Sequence, residues 1–236
     1  MKVRTWAPLM WALSVGTAAA AISTAETTRL NDAATVVQEL RDMPEKGIPD
    51  ELWSRARCVA VIPSLKKAAF GIGGEYGRGV MSCRRQDNGW SAPLFMQLAK
   101  GSWGLQIGAE QVDLVLLVMN DRGAEKLLED KVSLGADASV AAGPVGRSGA
   151  ASTDAQFSAE ILSYSRAQGV FAGIDISGGV LRPDADSNTD VFGPGHNPRD
   201  IVFGSDVIVP PAARGFLRAL ASEARATTGQ KKPLPE

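Results

Sequence analysis

Apolar positions recur every three and four residues over 26–43. Leu30, Ala33, Ala34, Val37 and Leu40 share one face, with Arg29, Asp32, Gln38, Glu39 and Arg41 on the other. This spacing predicts an amphipathic helix, ended by Pro44. Pro49 opens a second short helix over 48–57. At Cys58 the pattern turns to β. CVAVIP (58–63) is apolar and β-branched and reads as a strand stopped by proline. Three further stretches, 70–83, 90–98 and 103–119, read as strands, several of them rich in glycine. Glycine inside a strand marks a bulge, a bend or the close approach of another backbone, so the sheet is expected to curve strongly. DRGAEKLLED (121–130) predicts a short helix capped by Asp121. AEILSYSRAQ (159–168) fits strand or helix and is read as strand; 170–181 is a strand broken by glycine. Residues 182–200 read as a polar loop, and 211–226 as a C-terminal helix presenting Phe216, Leu217 and Leu220 on one face. The expected fold is α+β: a curved, mostly antiparallel sheet of barrel-like character, flanked by N- and C-terminal helices.

The first 25 residues have their own grammar. Lys2 and Arg4 precede an uncharged, mostly apolar stretch from 7 to 22, with small residues at Ala20, Ala21 and Ala25. This predicts a cleaved secretory signal peptide over 1–25. The alternative, a membrane anchor, needs about 20 apolar residues. Residues 26–226 then form one domain and 227–236 a loose tail, in a periplasmic or secreted protein.

Composition narrows the function. The 236 residues carry 25 Lys and Arg against 26 Asp and Glu, a net charge of −1, which argues against a globally basic nucleic-acid binder. Two Cys and one His exclude a zinc site built from several such ligands and a disulfide-dense scaffold. Cys58 and Cys83 are either a disulfide, favoured in an oxidising compartment, or two buried thiols. No phosphate-binding glycine loop occurs; Tyr76 stands where the third glycine after Gly71 and Gly73 would fall. No serine-hydrolase elbow occurs either, and His196 lies in a turn between two prolines. Asp184, Asp186, Asn188 and Asp190 alternate like calcium ligands, but Thr189 and Gly195 replace the required Gly and Glu, and Asx turns explain the pattern. No metal and no cofactor is expected. Glu75, Glu110, Asp113 and Asp175 could be buried carboxylates of an enzyme, but their spacing makes no catalytic pair. The expectation is a protein that is not an enzyme.

Cations gather mid-chain: Lys66 and Lys67, then Arg78, then Arg84 and Arg85. If their strands pair, the turns form a local basic patch able to attract phosphate head groups.

The stretch ARCVAVIPSLKKAAFGIGGEYGRGVMSCR resembles the opening of the SYLF domain. WSAPLFMQLAKGSWGLQIGAEQVDLVLLVMN, VSLGADASVAAGPVGR and YSRAQGVFAGIDISGGVLRPDADSNTDVFG follow in family order, so the likeness runs over 56–193. The chain is similar to the secreted bacterial branch, in which the domain stands nearly alone. In eukaryotes the family works in cortical actin and membrane trafficking. It binds phosphoinositides, partly through an N-terminal amphipathic helix, and some members bind actin. In an exported protein, actin drops out as a partner, and the resemblance implies binding of anionic phospholipid or a membrane surface. Lys66, Lys67, Arg78, Arg84 and Arg85 are the head-group candidates, and Leu30, Val37 and Leu40 the membrane-contacting helix face. That face packed on the sheet is the structural alternative. An envelope structural or protein-interaction module is the functional alternative.

Overall fold

A computed structural model describes residues 22–41, 47–145, 158–167 and 170–229. The order is α1 (Thr24–Arg41), α2 (Asp50–Arg55), β1 (Cys58–Cys83), β2 (Leu94–Val118), α3 (Asp121–Leu127), β3 (Val132–Ser133), β4 (Val140–Ala142), β5 (Ile161–Ala167), β6 (Val170–Gly173), β7 (Val180–Pro183), α4 (Ala185–Phe192) and α5 (Pro198–Phe203). A 3-10 turn (Pro211–Ala213) then leads into α6 (Arg214–Gly229). The proposed leader falls almost wholly outside the described residues.

β1 and β2 form one long antiparallel ribbon, from Cys58 opposite Val118 to Met81 opposite Leu94. A strand of 26 residues extends about 85 Å at ~3.3 Å per residue, yet the Cα atoms of Cys58 and Cys83 lie 3.9 Å apart. The ribbon therefore folds back until the two ends of β1 meet. There the Arg84 amide donates to the Arg57 carbonyl at 2.8 Å, and the two cysteines are joined by a disulfide. Glycine permits this closure. A Cβ on Gly79 would sit 2.1 Å from the Val61 carbonyl oxygen, so the outgoing and returning halves of β1 touch backbone to backbone.

The other edge of β2 carries β5 against Asp113–Val118 and β7 against Met96–Ala99. β3 extends β7; β4 and β6 lie end to end along the edge of β5 away from β2, β4 parallel and β6 antiparallel to it. The architecture is α+β, a curled mixed sheet forming a half-barrel with helices at both ends, as expected.

Both faces of the sheet are covered. Val59, Val61, Val115 and Leu117 point toward α1, α2 and α6, while Ala60, Ile62, Leu114 and Leu116 point toward α3 and α5. Burial on two sides explains why the run Leu114–Val118 is apolar without alternation. Leu30, Val37 and Leu40 of α1 belong to the first cluster with Phe216 and Leu220.

Three expectations need correction. Pro63 does not stop a strand. It sits in a bulge between Ile62 and Leu65, where a residue without an N–H fits, and Ser64 takes a left-handed φ of 56°. Residues 182–200 are not a loop but contain α4 and α5. Asp184 caps α4 by accepting from the Ser187 amide, and Gly193 (φ 86°) terminates it; Asn197 and Asp200 form a capping box on α5. The cap of α3 is Asn120, whose side chain accepts from Gly123 at 2.8 Å, rather than Asp121.

The disulfide closes a loop of 25 residues. Replacing both cysteines by serine is expected to cost about 3 kcal/mol, chiefly by freeing the unfolded chain. That lowers Tm by about 6–12 °C for a domain of this size, measured by calorimetry. An unchanged Tm would mean that the strand-end hydrogen bonds hold the clasp alone.

Candidate functional site

The cations singled out in the sequence do not form one patch; the fold sorts four of them into two clefts and leaves Lys67 outside both. Lys66 and Arg78 lie on the outgoing and returning halves of β1 and line a groove of about 310 Å³ against α1. Tyr76 lies in the same groove, 45% exposed. Arg78 donates through Nε to the Tyr76 hydroxyl at 2.9 Å, and that hydroxyl donates to Gln97 at 3.3 Å. The Tyr76 hydrogen bond, then the buried Asp184 carboxylate 3.8 Å from Nε, raise the Arg78 pKa above its usual value. Lys67 is half-buried and turned to Glu75 at 4.0 Å.

Beneath this groove is a buried polar network. Arg29 of α1 donates to Asp184 at 3.0 Å, both side chains almost wholly enclosed, and lies over the Phe95 ring at 5.3 Å. The single Ser187 hydroxyl proton is shared between the carboxylates of Asp184, at 3.0 Å, and Glu26, at 3.1 Å. Asn188 brackets the Phe95 backbone, accepting from its amide and donating to its carbonyl, each at 2.9 Å. These bonds bind the first turns of α1 to α4 and to β2. The run of alternating Asp and Asn is thus a helix start and a buried network, not a calcium loop.

This packing also overturns the membrane-contacting face. Leu30 and Val37 are fully buried and Leu40 nearly so. A helix whose apolar stripe faces its own core has nothing left to insert into a bilayer.

Arg84 and Arg85 stand at the second cleft, of about 730 Å³, with Arg57, Asp121, Arg199 and Phe203. Arg84 is committed to the fold. It donates to the carbonyls of Ala56 at 3.0 Å and Trp53 at 3.1 Å and stacks on Trp90 at 4.6 Å, and burial lowers its pKa. Arg85 is exposed. The α3 side of this cleft is anchored by Glu160, which receives Lys126 at 2.8 Å, Arg122 at 3.2 Å and the Ser139 amide at 2.9 Å. Burial pushes the Glu160 carboxyl up, but Lys126 and the Ser139 amide outweigh it, so it titrates below its ordinary range.

The candidate enzyme carboxylates are dispersed. Asp113 accepts the Ser64 amide freed by the bulge, at 3.0 Å, and is held by Arg166 at 2.6 Å. Asp175 is exposed and accepts from Ser177, Glu110 is exposed, and Glu75 faces Lys67. His196 lies with Asp186 in a third cleft.

Comparison with known proteins decides the family. The family described as Ysc84, Las17-binding protein actin regulator, matches residues 99–223. The chain belongs to the Ysc84 family. The likeness to the SYLF family is borne out, the matched span being 99–223. The Ysc84-family chain is 34% identical over 180 residues to Protein YSC84 of Saccharomyces cerevisiae, covering 75% of this chain and 38% of that protein. It is 34% identical over 181 residues to LAS seventeen-binding protein 3 of the same yeast, covering 75% and 39%. It is 33% identical over 194 residues to SH3 domain-containing YSC84-like protein 1 of Rattus norvegicus, covering 81% and 56%. The match thus spans 38% to 56% of the length of these relatives.

Sequence reasoning missed Arg29, Tyr76, Arg57, Arg199 and Phe203. For Arg57 a signal existed: Arg57-Cys58 and Cys83-Arg84 place an arginine outside each cysteine, so a disulfide brings both arginines together.

Proposed function

We propose that this Ysc84-family domain is a non-enzymatic binding protein for anionic phospholipid, exported from the cell in which it is made. One observation carries the reading: Lys66 and Arg78 stand in a single groove with the half-exposed Tyr76. Two cations with an amphipathic ring suit the head-group layer, where the ring rests among glycerol groups and the cations reach phosphate. The contact is thus made where the β1 ribbon meets the polar side of α1, not by the apolar face of α1. Support for export comes from the leader grammar of residues 1–25 and from a disulfide, which persists in oxidising compartments. The family description and a relative's name speak of Las17 binding and actin regulation; an exported chain meets neither, so that role is not carried over and the phospholipid reading rests on the groove.

Co-sedimentation with vesicles tests this. The protein is expected to pellet with vesicles containing phosphatidylglycerol and not with pure phosphatidylcholine. Lys66→Gln with Arg78→Gln should weaken binding roughly thirtyfold, at about 1 kcal/mol for each cation near the surface. Equal binding to neutral vesicles, or none to either, would overturn the reading. Stoichiometric capture of a protein without lipid would favour an interaction module instead.

A further inference from the structure

The arginine cleft has chemistry that the lipid reading leaves unused. Arg57, Arg84, Arg85 and Arg199 reach it from the start of β1, the segment after β1 and α5. Phe203 lies between two of them, its centroid 5.9 Å from the Arg57 guanidinium and 5.8 Å from that of Arg199. Both distances are within cation–π range. Each of these two arginines already holds a carboxylate: Arg57 binds Asp121 through Nε, and Arg199 binds Glu125 through Nη1. Arg57 also donates to the Arg84 carbonyl through Nη1. Asp121 and Glu125 stand one helical turn apart on α3.

Three facts point to an incoming ligand. A guanidinium has five N–H donors, and among the described residues Nη2 of Arg57 and both Nε and Nη2 of Arg199 have no partner. Arg85 has no ion-pair partner among the described residues. The Asp121 and Glu125 side chains are 80% and 44% exposed, and ion pairs in that setting hold weakly and exchange readily. The floor is rigid, because Arg84 is fixed by two backbone carbonyls and the Trp90 ring.

We propose that this cleft binds an acidic peptide segment of a partner protein. Its carboxylates would engage the spare donors of Arg57, Arg85 and Arg199, and an apolar side chain would rest on Phe203. Phe203, 38% exposed, adds an apolar contact that a bare inorganic anion would not use. The volume of about 730 Å³ lies in the range of binding clefts and admits several side chains.

The test is fluorescence anisotropy on the full chain with three probes: labelled hexaglutamate bearing a C-terminal phenylalanine, the corresponding hexalysine peptide, and inorganic phosphate as competitor. The acidic peptide is expected to bind, more weakly as salt rises, and the basic one not to bind. Arg85→Ala with Arg199→Ala should weaken binding by at least about tenfold, the scale of one lost charge-assisted hydrogen bond. Phe203→Ala should weaken it by a smaller factor. Lys66→Gln with Arg78→Gln should leave it unchanged, which separates this site from the lipid groove whatever the vesicle result. Thermal unfolding confirms that each variant is folded. Absence of peptide binding overturns the proposal. So does displacement by phosphate at concentrations equal to the peptide, which would mark an anion site without peptide character.

Discussion

Gly79→Ala is expected to prevent accumulation of folded protein or to lower stability by more than about 3 kcal/mol, the upper part of the overpacking range. The added Cβ would lie 2.1 Å from the Val61 carbonyl oxygen and 2.8 Å from the Ile62 Cα, so main chain must move. That movement would separate the two halves of β1 that the clasp holds together. Gly77 provides the control. Its Cβ would strike the Ile62 Cγ2 at 2.5 Å and the Leu65 Cδ1 at 2.9 Å, both side-chain atoms. Gly77→Ala should therefore be partly rescued by Ile62→Ala, which removes the methyl in the way, whereas Gly79→Ala should not be. Soluble yield and chemical unfolding measure both. A Gly79→Ala protein of wild-type stability would show that the halves of β1 are not in backbone contact.

Arg29→Met should cost about 3–5 kcal/mol, the usual loss when one partner of a buried ion pair is removed. At this size it is a fall in Tm of about 6–20 °C. The reason lies less in lost attraction than in what remains: Asp184 stays enclosed with Glu26 nearby and Ser187 as its side-chain donor, while Arg78 at 3.8 Å is too solvent-exposed to replace Arg29. Asp184→Asn in the same chain removes the stranded charge and should recover part of the stability. If the double variant were less stable than Arg29→Met, the cost would arise from lost packing of Arg29 on Phe95 instead. Because Arg29 also lines the groove that holds Lys66, Tyr76 and Arg78, the proposed phospholipid reading expects Arg29→Met to weaken vesicle binding as well.

Local pattern was readable where local physics decides. The stripe of α1, the strand at β5 and the glycine-rich curvature each follow from spacing within a few residues. Even the sense of the glycines was legible, since Gly79 is where one backbone meets another. What escaped depended on partners far along the chain. Pro63 looked like a strand end because the bulge that accommodates it is defined by Asp113, whose carboxylate takes the Ser64 amide. The segment after β7 looked like a loop because Asp and Asn satisfy backbone groups equally well in Asx turns and at helix starts. The Asp184 cap and the Gly193 stop were both present in the sequence. The face of α1 was visible, but not its destination. An amphipathic stripe looks the same whether it meets a bilayer or a sheet, and only α6 and β1 decide between them. The arginines were scattered by the fold because β1 returns on itself, so that neighbours in sequence, such as Arg78 and Arg84, serve different clefts.

The clasp has a consequence for the order of folding. Cys58 and Cys83 lie on one strand, so zipping β1 against β2 does not by itself bring them together; only the completed bend does. Oxidation of the pair is therefore a clock on curling rather than on hairpin formation. A ribbon that has formed but remained straight would hold its two thiols apart and free.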